Sequence, residues 1–436
     1  MPAPHQVKLI NGSTGAEALY ATYDDARTAS SDYDTIQIWA DLDEEILLKD
    51  KVDIWIAPGR TLNRSTAGPT ITDGGNAVTC NIGGDGNITN TYETMIPVIE
   101  YFECVLIANS ASKVTIECDE IRGLGKPGAT IEGSTISIVD GAKFSLTCEE
   151  ISSKNNTCIL VTSCEDLTII CLKIVSGYDG GSNGGIPVIS SAGAYCTMQA
   201  QQVICNGYGT CLLHLSGTLN ANFLKITTND SNTNAHPVVL VDNGDDSQIL
   251  NLSFDEIQNL NDTAGDAVTA NEGYINLTGR RIYSYKGLSL NLSQNANIIC
   301  KEIISGTKGI NILNNTHTSI VIDSEYIEGG IGNTAVIYSS GAVTYTIRNA
   351  KIKSSNTSSS SIGIYALNPT ESATITLENV IVITGNLTYG ESIYYNGFFS
   401  AYLTCYGLFL NKTASNVNYL VGDSGNNKVI VDSIIN

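Results

Sequence analysis

SKVTIECDEI, from Ser112 to Ile121, sets a pattern that the rest of the chain repeats. Val114, Ile116 and Cys118 alternate with polar residues, two polar positions follow, and Ile121 closes the unit. Alternation of this kind puts the apolar side chains on one face of a strand. The spacing apolar–x–apolar–x–small–x–x–apolar returns as AKFSLTCEEI (Ala142 to Ile151) and EDLTIICLKI (Glu165 to Ile174). Looser copies end at Ile257, Ile303, Ile352 and Leu408.

The closing apolar residue serves as an anchor. The series is Ile121, Ile151, Ile174, Val203, Ile226, Ile257, Ile282, Ile303, Ile327, Ile352, Val380, Leu408 and Ile434. The anchors average about 26 residues apart, with intervals from 21 to 31. A fixed period in this range marks a solenoid, propeller or array. Each repeat also holds a second alternation, as in VVLVDNG (Val238 to Gly244), LSLNLSQ (Leu288 to Gln294), INILNN (Ile310 to Asn315), AVIYSSG (Ala335 to Gly341) and IGIYALN (Ile362 to Asn368). Two or three short strands per repeat predict one coil of a parallel β-helix. A propeller blade needs about 40–45 residues, and a leucine-rich repeat needs its Leu/Asn consensus, so neither fits. The expected fold is therefore all-β: a single-stranded parallel β-helix solenoid of about 26 residues per coil, on the order of 60 Å long if rungs stack at about 4.8 Å.

Composition agrees. Gly, Asn, Thr, Ser, Ile and Val dominate, which is strand-and-turn chemistry, and 41 Gly stand against 9 Pro. The net charge is −21. No basic stripe is visible, so nucleic acid is not an expected partner. No apolar run reaches the roughly 20 residues that cross a membrane. MPAPHQVKLINGSTG lacks a basic segment followed by an apolar one, and no secretory signal is expected.

Residues 1–34 read as an N-terminal segment with a capping helix. Thr14 and Glu17 fit a capping box, and Ala16 through Arg27 read as a helix of about three turns over the open end of the solenoid. Residues 35–436 read as one β-helix domain, irregular over 35–111 and regular over 112–436. In the irregular part, Ile36 and Ile38, Ile46 and Leu48, then Val52, Ile54 and Ile56 predict three short strands, with Gly59 closing the third. Val78, Cys80 and Ile82 predict a fourth, Gly83 to Asn87 a turn, and Ile96 to Asn109 a buried strand pair. The helix and these strands resemble the N-terminal part of the pectin-lyase-like β-helix superfamily, whose members often begin with an Ala-rich helix, an I-x-I strand and a V-x-I strand with Gly. The resemblance covers about sixty residues in detail and the rest by period. It implies a right-handed solenoid, in keeping with the general handedness of parallel crossovers.

The chain ends in NKVIVDSIIN, still in strand pattern. A second copy or another structural protein is expected to cover that end.

The candidate chemistry is sparse. Asp119-Glu120, Glu149-Glu150 and Asp255-Glu256 occupy equivalent slots, as a glycosidase pair would. The same slots carry Leu172-Lys173, Gln201-Gln202, Leu224-Lys225, Arg280-Arg281 and Lys301-Glu302, so they read as a solvated charge ladder. The superfamily's lyases hold Ca²⁺ with several Asp beside an Arg or Lys base, and its hydrolases use three Asp with a His and an Arg; no such constellation stands out here. Asp242, Asp245 and Asp246 around Gly244 read as a turn. His5, His214, His236 and His317 lack metal-ligand spacing. YDGGSNGG (Tyr178 to Gly185) lacks phosphate-loop context.

Cys118, Cys148, Cys171, Cys300 and Cys405 each sit three residues before an anchor and predict a ladder of buried thiols, with interstrand disulfides or a metal site as the alternatives. Twenty-one Tyr, several near turns (Tyr178, Tyr195, Tyr208, Tyr283, Tyr285, Tyr326, Tyr389, Tyr394 and Tyr395), suit polar recognition or ordinary strand surface. Asn251, Asn276 and Asn386 open N-x-S/T triplets that an Asn-rich chain produces as by-products.

No catalytic, cofactor-binding or metal-binding residue is assigned, and no cofactor is expected. The expected function is a non-enzymatic structural or adhesive protein of a particle surface, a virion tail-fibre, spike or capsid appendage, with a cell-surface glycan as a candidate ligand. Its expected place is the virion or another extracellular surface. The alternative is a polysaccharide lyase or glycoside hydrolase working in the groove along the solenoid. An ice-binding β-helix would need aligned T-x-T arrays, which the scattered copies here do not supply.

Overall fold

The computed structural model describes residues 6–92, 103–124, 134–139, 141–154, 157–162, 164–177, 188–193, 195–206, 209–229, 236–242, 247–261, 265–307, 309–313, 319–329, 335–355, 362–368, 373–383, 391–397, 401–406, 408–410, 420–422, 428–431 and 434–435. Among the described residues the fold is all-β apart from one helix, and the strands are almost all parallel and stacked in two sheets. The residues group into two compact units, Met1–Phe223 and Leu224–Asn436.

In the first unit the anchors stand in one registered column. Ile121, Ile151, Ile174 and Val203 are successive partners across parallel strands. The column already exists before Ser112, through Leu42, Leu62 and Ile88. All seven are buried. A second inward column runs through Ile36, Ile54, Ile82 and Ile116, so the segment that looked irregular is in register from Thr35 on. The short strands expected there form at Thr35–Ile38, Ile46–Leu47, Asp53–Ile56 and Thr79–Gly83, and Gly59 makes its turn with a φ of +68°, where a side chain would be strained. Of the expected strand pair over Ile96 to Asn109, residues 96–102 lie outside the described residues; Val105–Ile107 is a strand with Val105 and Ile107 buried.

The second unit repeats the arrangement. Ile257, Ile282, Ile303 and Ile327 are partners in turn, and Ile352 follows. Its other sheet stacks Val239, Val268, Leu290, Ile310, Ile337, Ile364 and Ile393. These are the second alternations seen in the sequence. Burying each such side chain removes it from water on both sides of its rung, a gain of about 1.5–3 kcal/mol apiece.

Three expectations are corrected. Glu17–Tyr20 is a strand, antiparallel to Val7–Ile10, and the helix is only Tyr23–Ala29. Its cap is Thr22, whose hydroxyl accepts from the Asp25 amide at 3.1 Å, so Thr14 and Glu17 form no capping box. Thr14 instead lies in the turn organised by the Asn11 side chain. The alternation in Val7–Ile10 supplied a strand partner that outweighed the helix propensity of Ala16 to Tyr20. The first rung is covered twice: Val7–Ile10 pairs antiparallel with Thr35–Ile38, and the helix buries Tyr23 and Ala26. The second correction concerns anchors: Ile352 pairs with Val382, and Val382 with Leu410, not with Val380 and Leu408. Val380 and Val382 are both buried, so burial alone does not separate them; Asn379 turns the chain just before them with a φ of +54°. Third, Cys405 is registered with Leu377 and so with Ile347, a different row from Cys148 and Cys171.

One buried carboxylate fastens neighbouring repeats. Asp73 is fully buried, and its oxygens accept from the amides of Gly75, Ala108 and Asn109 at 2.9–3.1 Å and from the Ser112 hydroxyl at 2.9 Å. Asp73→Ala takes the shared acceptor from all four donors and leaves the buried Ser112 hydroxyl without it. It is expected to lower unfolding free energy by about 3 kcal/mol or more in urea titrations; a change under about 1 kcal/mol would show that the clasp is dispensable.

Candidate functional site

The carboxylate pairs are brought into columns, and Glu120, Glu150, Asp255 and Glu256 are paired with cations there. Glu120 faces Glu150, and Glu150 faces Lys173. The Lys173 ammonium lies 3.0 Å from Glu150, and Arg122 donates to Glu120 at 2.7 Å from two residues along the same strand. Arg280 grips Asp255 with two bonds of 2.8 and 3.0 Å, and Arg281 sits 3.4 Å from Glu256 and 3.6 Å from Glu302. The Arg280 hydrogen bond holds the Asp255 carboxyl below the usual range. Asp255 is therefore held as a carboxylate rather than as a proton donor. Pairs this exposed contribute little stability each.

The eleven cysteines whose side chains are described are all buried, and none of them forms a disulfide. Cys148 and Cys171 are registered neighbours, and Cys118 and Cys300 occupy the equivalent slot of their own repeats. Burial pushes the Cys118 and Cys300 thiols up to about 12. Thiolate, the reactive form, is therefore scarce at neutral pH. Ellman's reagent is expected to leave these eleven thiols untouched in a folded Cys405→Ser chain and to titrate them after unfolding; rapid labelling of the folded chain would contradict the burial.

Among the remaining candidates, His214 is buried, with Nε2 3.1 Å from the Gly217 carbonyl, and serves the core. His5, His317, Asp245, Asp246, the loop Tyr178 to Gly185, Tyr208, Tyr389 and Asn386 lie outside the described residues. Tyr394 and Tyr395 are described by backbone alone. Tyr195 and Tyr285 are exposed; the Arg281 guanidinium lies 5.0 Å from the Tyr283 ring; Tyr326 donates to Glu328 at 2.6 Å. Asn251 accepts from Asn276 at 2.7 Å across neighbouring strands. No group of three or more His, Cys, Asp or Glu among the described residues could hold a metal ion.

The arrangement with most recognition chemistry lies on the second sheet of the second unit. Leu240, Thr269, Asn291, Asn311, Tyr338 and Tyr365 form one registered row, each between inward-facing neighbours, and the backbone of Tyr394 continues its register. Asp266, at the base, accepts from the Leu288 amide at 3.0 Å, from Asn291 at 3.1 Å and from Thr269 at 3.2 Å. Asn291 in turn accepts from Asn311 at 2.9 Å. The carboxylate sets the direction of the whole ladder. Asn291 must turn its NH₂ to Asp266, which leaves its carbonyl for Asn311, and the Asn311 carbonyl is therefore the last acceptor of the ladder. That Asn311 oxygen is buried and accepts no hydrogen bond, in a residue only 8% exposed. The next rungs are Tyr338 and Tyr365, with ring centroids 5.5 Å apart. An unfilled acceptor beside a tyrosine pair suits a ligand that carries hydroxyl donors and an apolar face. The sequence analysis noted the Tyr surplus but not this row, because INILNN and AVIYSSG disclose their shared column only once register is known.

No known protein family, no curated protein and no solved structure matches the chain.

Burial raises the Asp266 carboxyl above its ordinary value, against the opposing pull of its hydrogen bonds from Leu288, Asn291 and Thr269. The folded state then holds this proton more tightly than the unfolded chain. The group's contribution to stability is full below the ordinary carboxyl range and is lost as pH rises through the raised value. A carboxyl-carbon NMR titration should give a midpoint above the ordinary value of about 3.9; a midpoint at or below it would contradict the buried placement.

Proposed function

We propose that this chain is a non-enzymatic adhesive or structural protein of a particle surface, a virion in the first instance, and that it holds a hydroxyl-rich ligand, a cell-surface glycan, at the Asn311 end of the Asp266–Asn291–Asn311 ladder. The observation that carries this reading is the buried, unfilled Asn311 carbonyl beside Tyr338 and Tyr365. A buried acceptor without a donor costs about 1–3 kcal/mol, and a bound hydroxyl recovers that cost. Of the paired carboxylates, Glu150, Asp255 and Glu256 are tied into ion pairs between strands, which supports a non-enzymatic reading of those positions.

The finer architecture belongs to the same reading: one right-handed parallel β-helix of the pectin-lyase-like kind, about 26 residues per coil. Registered parallel strands in two sheets support it, with the right-handed preference of parallel crossovers. Lys428–Val431 and Ile434–Ile435 pair on one side only among the described residues, and in this reading a second copy or another structural protein adds to that edge. No helix among the described residues is long and apolar enough to cross a membrane.

A microarray of bacterial and host-surface glycans tests the binding. The intact chain should retain at least one glycan, and Asn311→Leu or Tyr338→Ala should weaken retention about tenfold or more. Reducing-end and unsaturated-uronate assays on the retained glycan should show no product. Retention unaffected by both substitutions would overturn the ladder as the site, and product formation would overturn the non-enzymatic reading.

A further inference from the structure

The chain has two tryptophans, Trp39 and Trp55, and the fold brings them together on the outer face of the first unit. Their ring centroids lie 5.1 Å apart at an interplanar angle of 54°. Trp55 alternates with the inward Ile54 and Ile56, so it must point outward. Trp39 is 49% exposed, an unusual place for so large an apolar ring. It is nonetheless held in position. Its Nε1 donates to Gln37 at 3.2 Å, and the Lys8 ammonium lies 5.9 Å from its ring centroid. Lys8 is itself paired with Glu17 at 3.1 Å, so it offers little free positive charge.

Beside the indoles is a gap. Gln37, Trp55 and Gly83 are registered partners on successive rungs. A Cβ built on Gly83 would meet no heavy atom within 4 Å, so the position next to Trp55 is open. The far side of the gap is set by Glu117, which follows Ile116 as Gly83 follows Ile82. Glu117 is exposed. In the adjoining outward row, Asn81 donates its backbone and side-chain N–H groups to Asp53 at 3.0 and 3.1 Å. The notch is therefore one rung wide, about 4.8 Å from strand to strand on either side. An indole face walls it, and carboxylate and amide groups rim it.

From this we infer that the Trp39/Trp55/Gly83 notch is a subsite for a neutral pyranose ring, which lays its C–H face on the indoles and directs hydroxyls to Glu117 and the Asp53–Asn81 pair. The inference rests on the adhesive reading above and adds a second contact point to it. Aromatic walls with a few polar groups are the usual composition of a small-ligand site. An acidic sugar is disfavoured by Glu117, by Asp53 and by the net charge of −21. Holding the indoles in place beforehand lowers the ordering cost that binding would otherwise carry.

The two tryptophans make the test direct, since all indole emission of the chain arises at the notch. The full-length protein is titrated with the methyl glycosides of glucose, galactose, mannose and N-acetylglucosamine while indole fluorescence is followed. At least one should give a saturable change. Gly83→Leu, whose Cβ has open space around it, should fill the notch and abolish it, and Trp39→Ala should weaken it about tenfold, read from Trp55. Asn311→Leu should leave it unchanged. Thermal unfolding of Gly83→Leu at the wild-type midpoint shows that the fold is intact. A silent titration with all four sugars, or a Gly83→Leu chain that still responds, would overturn the notch. Silent indoles together with a glycan-array signal lost in Asn311→Leu would overturn the notch alone; an indole response with an array signal indifferent to Asn311→Leu would overturn the ladder alone.

Discussion

Everything in this fold follows from the stacking of like side chains between hydrogen-bonded parallel strands. An inward residue on one rung must pack against the residues at the same position on the rungs before and after it. Ile282 touches both sides of this constraint, between Ile257 and Ile303. A shift of one residue would turn every apolar side chain outward, so the register is strongly specified. The outward rows inherit that register. They place Arg281 against Glu256 and Glu302, Asn311 against Asn291, and Trp55 against Gln37.

The outer faces show three uses of the same geometry. Where charges alternate, as at Asp255, Arg280 and Glu256, the rows form ion pairs that keep a strand surface soluble and well registered. Where amides repeat, as at Asn251 and Asn276, they form ladders that satisfy one another. Where a row changes type, a group is left without its match. The Asn311 carbonyl meets a tyrosine rung, and the Trp55 ring meets a glycine. The proposed contacts with ligand fall at these breaks.

Most of the scaffold was legible in the sequence, because a period of apolar anchors survives insertions in the loops. Ile121 to Val203 and Ile257 to Ile352 are in register as their spacing suggests. The misreadings share one cause: local pattern was consulted where a distant partner decided. Glu17–Tyr20 has helix formers but pairs with Val7–Ile10. Val380 and Val382 are equally apolar, and only the cross-strand partner Ile352 identifies the anchor. Cys405 has the right residue type for the thiol row yet belongs to the row of Leu377. The candidate sites were illegible for the same reason. Trp39 and Trp55 are sixteen positions apart and Gly83 is farther still, and nothing local says that they meet.

Pairs of introduced cysteines test the register itself. Thr278 and Ile299 are outward partners on adjacent strands, and Lys301 lies two positions farther along. Registered parallel neighbours fall within the span that a disulfide bridges, and the offset pair exceeds it. Under mild copper-phenanthroline oxidation, Thr278→Cys/Ile299→Cys should cross-link within the chain, and Thr278→Cys/Lys301→Cys should not. Equal cross-linking of both pairs, or preference for the offset pair, would contradict the stacked register on which the fold and both proposed contacts stand.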